Sequence, residues 1–230
     1  VLDGLQLAYK ITCNSLYGQV GASTSQIYKK EIAASTTATG RRLLKLAKDN
    51  TEEKFQGIIK IDINGNIREV FTKTDCVYGD TDSIFVRFKL TDPITNKEIE
   101  GKEALPICIE LGKLAGKDVT KQLKPPHDLE YEKTFWPFIL FSKKRYAGHL
   151  YEEDPEKYKM KSMGIVLKRR DNAPIVKHIY GGVLDIIMND KDLKKAEIHL
   201  KNETKKLMEG KFNIDKFIIS KTLRGSYANR

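Results

Sequence analysis

Six consecutive residues, Tyr78-Gly79-Asp80-Thr81-Asp82-Ser83, constrain this chain more than any other feature. They join two apolar runs, Cys76-Val77-Tyr78 and Ser83-Ile84-Phe85-Val86-Arg87-Phe88, whose β-branched and aromatic residues favour strands. Gly, Asp, Thr and Ser between them all favour a tight turn. The expected hairpin therefore carries two carboxylates, one residue apart, at its tip. Like charges that close repel and hold protons more tightly unless a cation is present. Oxygen ligands of this kind suit Mg²⁺, which takes one or two carboxylates together with substrate phosphates. The plainer reading is an ordinary polar turn, and six residues alone leave both open.

The hydrophobic period places this hairpin inside an α+β fold. Residues 3–17 read as a helix, with Asp3 as N-cap and Gln6 three residues on. Lys10, Asn14 and Tyr17 are spaced by four and three, so they share about 60° of one helix face. Gly18 and Gly21 are expected to end the element. A second helix spans 29–49. Ile58–Ile61 and Ile67–Val70 flank Asn64-Gly65-Asn66, a strong hairpin signal. Residues 102–122 read as a helix, with Pro106 near its first turn. Residues 129–151 are aromatic and β-like, 158–166 suit a strand, 174–188 and 192–208 return to helix, and 216–221 suit a short strand. The order is helices, a mixed antiparallel sheet with packed helices, then helices, with no repeat. Trp136, Phe135, Phe138 and Phe141 are expected in the core.

Charge narrows the function. The chain carries 41 Lys+Arg and 31 Asp+Glu, a net of +10. Residues 1–115 are almost neutral, and the excess lies in residues 116–230, densest from Lys157 to Lys177. Such asymmetry suits a polyanion partner, though a solvated lysine-rich surface gives the same numbers. No run of 18 apolar residues is present, so no membrane partner is expected. Cys13, Cys76 and Cys108 fit neither a zinc spacing nor a disulfide framework and read as reduced thiols. His127, His149, His178 and His199 share no ligand spacing.

Four motifs in order resemble the family B DNA polymerases, most closely the delta-like branch that includes large DNA viruses. Lys10 followed by Asn14-Ser15-Leu16-Tyr17-Gly18 resembles the family's fingers-helix motif, and Tyr78 to Ser83 its palm motif. Lys143-Lys144-Arg145-Tyr146 resembles the primer-gripping motif, and Arg169-Arg170-Asp171-Asn172 the basic entry to the thumb. The resemblance covers nearly the whole chain. It implies a fingers helix over 1–22, a palm over 23–170 and the start of a helical thumb over 171–230. A second palm carboxylate, expected upstream in the family, does not occur here, so the chain reads as an internal fragment, inactive alone.

The resemblance also implies roles. Asp82 is the metal-binding carboxylate, with Asp80 beside it, serving two Mg²⁺ ions. Lys10 and Asn14 meet the triphosphate of a dNTP, Tyr17 lines the nascent base-pair pocket and Gly18 permits close approach. Lys143, Lys144, Arg145 and Tyr146 hold the primer, with Lys144 in the minor groove, where correct base pairs present similar acceptors. An edge strand protected by lysines is the alternative there. Arg169 and Arg170 contact phosphate or form a local ion-pair network. Primer–template DNA, dNTP and a sliding clamp are the implied partners, in a nucleus or viral replication compartment. Two rivals remain open: a catalytically inactive, polymerase-like DNA-binding or scaffold module, and a basic RNA-binding palm-like domain. The strand Phe85-Val86-Arg87-Phe88 lacks the basic run that an RNA-recognition strand needs.

Overall fold

The computed structural model describes residues 2–63, 65–168 and 172–220. Two compact units are formed. The first comprises Val1–Asp62, Asn66–Glu98 and Lys113–Glu130, and the second mainly Ile99–Gly112 and Tyr131–Arg230. The architecture is α+β, with five α-helices among the described residues. None of these helices is long and apolar enough to cross a membrane.

The first unit opens with α1 (Leu2–Gly21) and α2 (Lys30–Lys54). Helix α1 runs beyond its expected 3–17. Asp3 sits inside the first turn, where a negative charge suits the helix dipole, and is not the cap. Gly18 is helical; the helix ends at Gly21. The hydroxyls of Thr12 and Ser15 donate back to the carbonyls of Ala8 and Ile11, each at 2.8 Å, which lets polar residues sit within the helix. No residue of α1 is buried. Helix α2 buries Ala47, Asn50 and Thr51 and passes its expected end at Asp49. The Thr51 hydroxyl donates to the Ala47 carbonyl at 2.8 Å, and the Phe55 amide closes the last turn on the Thr51 carbonyl.

A four-stranded sheet follows, in the order β1 (Gly57–Ile63), β2 (Asn66–Asp80), β3 (Ser83–Thr91) and β4 (Glu98–Ile99). The Cys76–Tyr78 strand is the end of the 15-residue β2, which pairs antiparallel with β3. Three groups bolt the C-terminus of α2 to β2. The Cys76 amide donates to Glu52 Oε1 at 2.8 Å. Gln56 copies a strand: its Nε2 donates to the Thr74 carbonyl at 2.6 Å and its Oε1 accepts from the Thr74 amide at 3.1 Å. The buried hydroxyls of Thr72 and Thr74 both donate to the Phe55 carbonyl. These polar groups satisfy one another, the buried Thr72 and Thr74 hydroxyls among them, which makes the helix–strand alignment specific. Helix α3 (Ala104–Thr120) carries Pro106 in its first turn, as expected.

The second unit is built on a separate three-stranded sheet, β5 (Thr134–Ser142), β6 (Arg145–Tyr151) and β7 (Tyr158–Met163), antiparallel throughout. Two helices follow, α4 (Pro174–Asn189) and α5 (Leu193–Met208). Pro174 opens α4, where its missing N–H costs nothing. Asp192 caps α5, accepting from the Lys195 amide at 3.0 Å. Ala147, Ile165, Leu184 and Met188 form a core with Ile139, Leu167 and Tyr180.

The structure corrects two expectations. Two antiparallel sheets replace one mixed sheet, because the long helix α3 intervenes between the strand sets. The short strand expected at 216–221 is a 3-10 turn at Ile214–Phe217, and Lys221 lies outside the described residues. That stretch has no strand partner among the described residues, and alternation alone cannot hold a strand.

Candidate functional site

Asp80 and Ser83 are the last paired residues of β2 and β3, so only Thr81 and Asp82 form the connection. The Asp82 amide donates to the Asp80 carbonyl at 2.7 Å, and Thr81 has φ +57°. An i to i+2 bond around a positive φ is the rare, strained γ-turn, and a β-branched residue there is a genuine outlier. The Ser83 hydroxyl donates to the Asp80 carbonyl at 3.2 Å and braces the turn. A bulge behind it leaves Val77 unpaired between Cys76 and Tyr78. Bulges of this kind re-aim the residues that follow.

The two carboxylates are held differently. Asp80 accepts from the Tyr78 hydroxyl at 3.1 Å on Oδ2 and from the Thr81 hydroxyl at 3.1 Å on Oδ1. Tyr78 is itself packed on Phe85, ring centres 5.3 Å apart. Asp82 is exposed, and its carboxylate has no hydrogen bond or ion pair among the described residues. One acid is oriented and the other is presented. Below them, a Cβ on Gly79 would lie 3.4 Å from Leu44 Cδ2, so α2 approaches the tip closely. The donor set suits a hard divalent cation, with Asp82 as the open ligand. It is small: no cluster of three His, Cys, Asp or Glu that could hold a metal occurs among the described residues.

The α1 residues belong to the same unit. Thr37 Oγ1 donates to the Ala33 carbonyl at 2.9 Å, so the Tyr17 hydroxyl, 2.9 Å from Thr37 Oγ1, is the donor of that pair. Tyr17 is thus tied to α2, not to the sheet. A Cβ on Gly21 would lie 3.5 Å from Ala33 Cβ. This face of α1 therefore turns toward α2, and helical spacing continues it through Asn14 to Lys10. Both side chains are exposed. A Cβ on Gly18 would meet nothing within 4 Å, so no neighbour demands glycine there. An open cavity of about 550 Å³ lies beside it, lined by Ser15, Gly18, Gln19 and the loop from Ala22 to Ile27.

The second unit presents cations on a similar hairpin. Ser142 pairs with Arg145, leaving Lys143 and Lys144 as the connection, with Lys144 at φ +63°. These two cations lie in the connection between the edge strand β5 and the middle strand β6. Lys143, Lys144 and Arg145 are exposed. Tyr146 is half-buried, its ring 5.9 Å from Phe135 and 5.6 Å from Phe138. A Cβ on Gly164 (φ +64°) would fall 2.1 Å from the Lys144 carbonyl oxygen, so glycine holds this turn close. Arg169 and Arg170 lie outside the described residues.

One candidate escaped the sequence reading. Phe141, expected in the core, is the unpaired residue of a bulge between Leu140 and Ser142 and is 48 % exposed. Its position two residues before a Lys-Lys pair was the available signal. The bulge itself has no sequence signature.

The family model for DNA polymerase family B matches residues 1–230. The chain belongs to this family. It is 53 % identical over 227 residues to a DNA polymerase of Pyramimonas orientalis virus, covering 99 % of this chain and 17 % of that protein. It is 35 % identical over 222 residues to the DNA polymerase delta catalytic subunit of Candida albicans, covering 96 % of this chain and 19 % of that one. A DNA polymerase of Paramecium bursaria Chlorella virus NY2A is 36 % identical over 227 residues, with 99 % and 22 % covered. The chain thus spans about a fifth of each of these relatives. The expected resemblance to a delta-like branch that includes large DNA viruses holds.

Proposed function

We propose that the protein carrying this chain is a DNA-directed DNA polymerase that adds dNTPs to a primer 3′-end under template direction. The observation that carries the reading is the presented carboxylate of Asp82 beside the oriented Asp80, on a strained hairpin tip of a family B chain. Residues 1–22 would serve as fingers helix, 23–170 as palm and 171–230 as the start of the thumb. In the reaction the primer 3′-oxygen bonds to the α-phosphorus and pyrophosphate leaves. Two Mg²⁺ ions, when bound, would supply the charge stabilisation such phosphoryl transfer needs.

The chain's own residues would position the reactants. Asp82 offers a free carboxylate to the cation, while Asp80, engaged by Tyr78 and Thr81, fixes the turn that aims it. The second carboxylate of the metal site would come from a family motif that these 230 residues do not contain. Lys10 neutralises triphosphate charge and Asn14 hydrogen-bonds the same phosphates. Tyr17, tied to Thr37, makes a fixed wall for the nascent base pair, and Gly18 leaves room beside it. Lys143, Lys144 and Arg145 grip the primer. Tyr146, packed on two phenylalanines, supports them, and Arg169 and Arg170 add phosphate contacts. A sliding clamp would bind the protein elsewhere, in a nucleus or viral replication compartment. The 230 residues alone would not extend a primer.

Primer extension by the parent protein and its Asp82→Ala variant tests this. Loss of extension with primer–template affinity retained supports it. Unchanged extension by the variant would sink the catalytic assignment, and a parent that binds DNA without extending it would favour the inactive module.

A further inference from the structure

We infer that Arg41 is a further phosphate-binding residue, set on α2 between the nucleotide-facing stripe of α1 and the carboxylate turn. The inference rests on the polymerase reading and extends its substrate site. Thr37, Arg41 and Leu44 are spaced by four and three, so they share about 60° of one face of α2. Both ends of that stripe are fixed by contacts. Thr37 holds the Tyr17 hydroxyl at 2.9 Å, and Leu44 reaches the carboxylate hairpin at Gly79. Arg41 lies between, about 6 Å along the axis from Thr37 and about 4.5 Å from Leu44.

The facing helix supports the same placement. Gly21 against Ala33 and Tyr17 against Thr37 make α1 and α2 antiparallel. Continuing that register sets Asn14 and Lys10 across from the Gly40–Leu44 turn. Gly40 is a glycine in a helix interior, which is unfavourable, yet a Cβ there would meet nothing within 4 Å. No described neighbour demands glycine at this point.

The charge of Arg41 is uncompensated. It is exposed and has no hydrogen bond or ion pair among the described residues. No acid stands three or four residues away on α2, and the nearby Lys45 is already paired with Asp49 at 2.5 Å. A guanidinium so placed, opposite a lysine and an asparagine, matches a phosphate oxyanion by its planar fork. That phosphate belongs either to the incoming triphosphate or to the DNA backbone.

The test uses the polymerase that carries this chain, with Arg41→Ala, Arg41→Lys and, about 100° around the helix, Arg42→Ala. Single-nucleotide incorporation gives KM for dNTP. Equilibrium titration gives Kd for primer–template across a salt series. Arg41→Ala is expected to weaken at least one constant about tenfold, with partial recovery in Arg41→Lys and little change in Arg42→Ala. A raised dNTP KM with unchanged DNA Kd assigns the triphosphate. A raised Kd with the salt slope reduced by about one assigns a backbone phosphate. Both constants staying within about twofold of the parent overturns the inference, as do equal losses in all three variants. If Asp82→Ala alone abolishes extension and Arg41→Ala alone is neutral, only this inference falls; extension surviving Asp82→Ala sinks the polymerase reading beneath it.

Discussion

Two hairpin tips, one in each compact unit, use one backbone device to present opposite charges. Each is a two-residue connection between antiparallel strands, with a non-glycine residue at positive φ: Thr81 at +57° and Lys144 at +63°. Each has a bulge close behind it, at Val77 and at Phe141. Each is approached by a glycine contact, Gly79 under Leu44 and Gly164 against the Lys144 carbonyl. They differ in how the charges are held. The acid tip spends hydrogen bonds on Asp80 and leaves Asp82 open, a distinction suited to one aimed metal ligand. The basic tip sets Lys143, Lys144 and Arg145 side by side in solvent, a distribution suited to a repeating backbone charge. Strain at a turn can thus serve pointed or spread electrostatics, and the side chains decide which.

The sharpest way to break this comparison is to remove the acids one at a time. Asp82→Ala is expected to slow primer extension by the parent protein by about 10³-fold or more, since it deletes the cation's open ligand. Asp80→Ala acts through the turn and is expected to cost about 10- to 100-fold less than that. Equal losses in single-turnover rates would erase the distinction between a presented and an orienting carboxylate.

The glycines come next. Gly164→Ala places a left-handed alanine with its Cβ 2.1 Å from a carbonyl oxygen, and backbone cannot yield as a side chain can. Destabilisation of about 3 kcal/mol is expected. Gly79→Ala meets only the flexible end of Leu44 at 3.4 Å, and about 1 kcal/mol or less is expected. Urea unfolding of both variants ranks them; the reverse order would show that the acid tip is the tighter one. A smaller effect follows at the basic tip. Lys143→Ala with Lys144→Ala should weaken primer–template binding about tenfold and lower the salt slope by about two, leaving dNTP KM unchanged. An unchanged salt slope would mean that these lysines do not meet phosphate.

Much of this contrast was legible in the chain, and the reason is local. The turn residues at 79–83 and the period-2 runs beside them are short-range signals, and a hairpin formed there. Residues 129–151 read as one β-like stretch, and the turn that Lys143 and Lys144 make within it was not foreseen. Helix positions were also legible, though their ends were not. Gly18 suggests a stop, but α1 continues past it because one glycine costs less than the turn it would break. What the sequence hid was long-range. Neither bulge can be read from composition, so Phe141 looked like core. The pairing of Tyr17 with Thr37 joins residues 20 apart, and the splitting of the strands into two sheets depends on where α3 folds. The unequal holding of Asp80 and Asp82 is a hydrogen-bond pattern, invisible in a pair of identical letters.

The smallest effect uses a thiol that only the acid tip possesses. Cys76 adjoins the bulge behind Asp80, half-buried, and burial raises its pKa above the ordinary thiol value, with Glu52 adding to the shift. The thiolate is the reactive form, so its alkylation should be slow at neutral pH and quicken as pH rises, its midpoint displaced upward. Cys13 is exposed on α1 and should react first. Cys108, pushed up to about 12 by burial, should react only on unfolding. A cation captured by Asp82 would restrain the hairpin, and the bulge opens with it. Mg²⁺ is therefore expected to slow Cys76 labelling about two- to threefold without affecting Cys13. Mass-resolved alkylation in the parent protein reads both sites at once. Equal rates with and without Mg²⁺ would separate cation binding from the stability of the acid tip. The acid tip would then be rigid before any metal arrives.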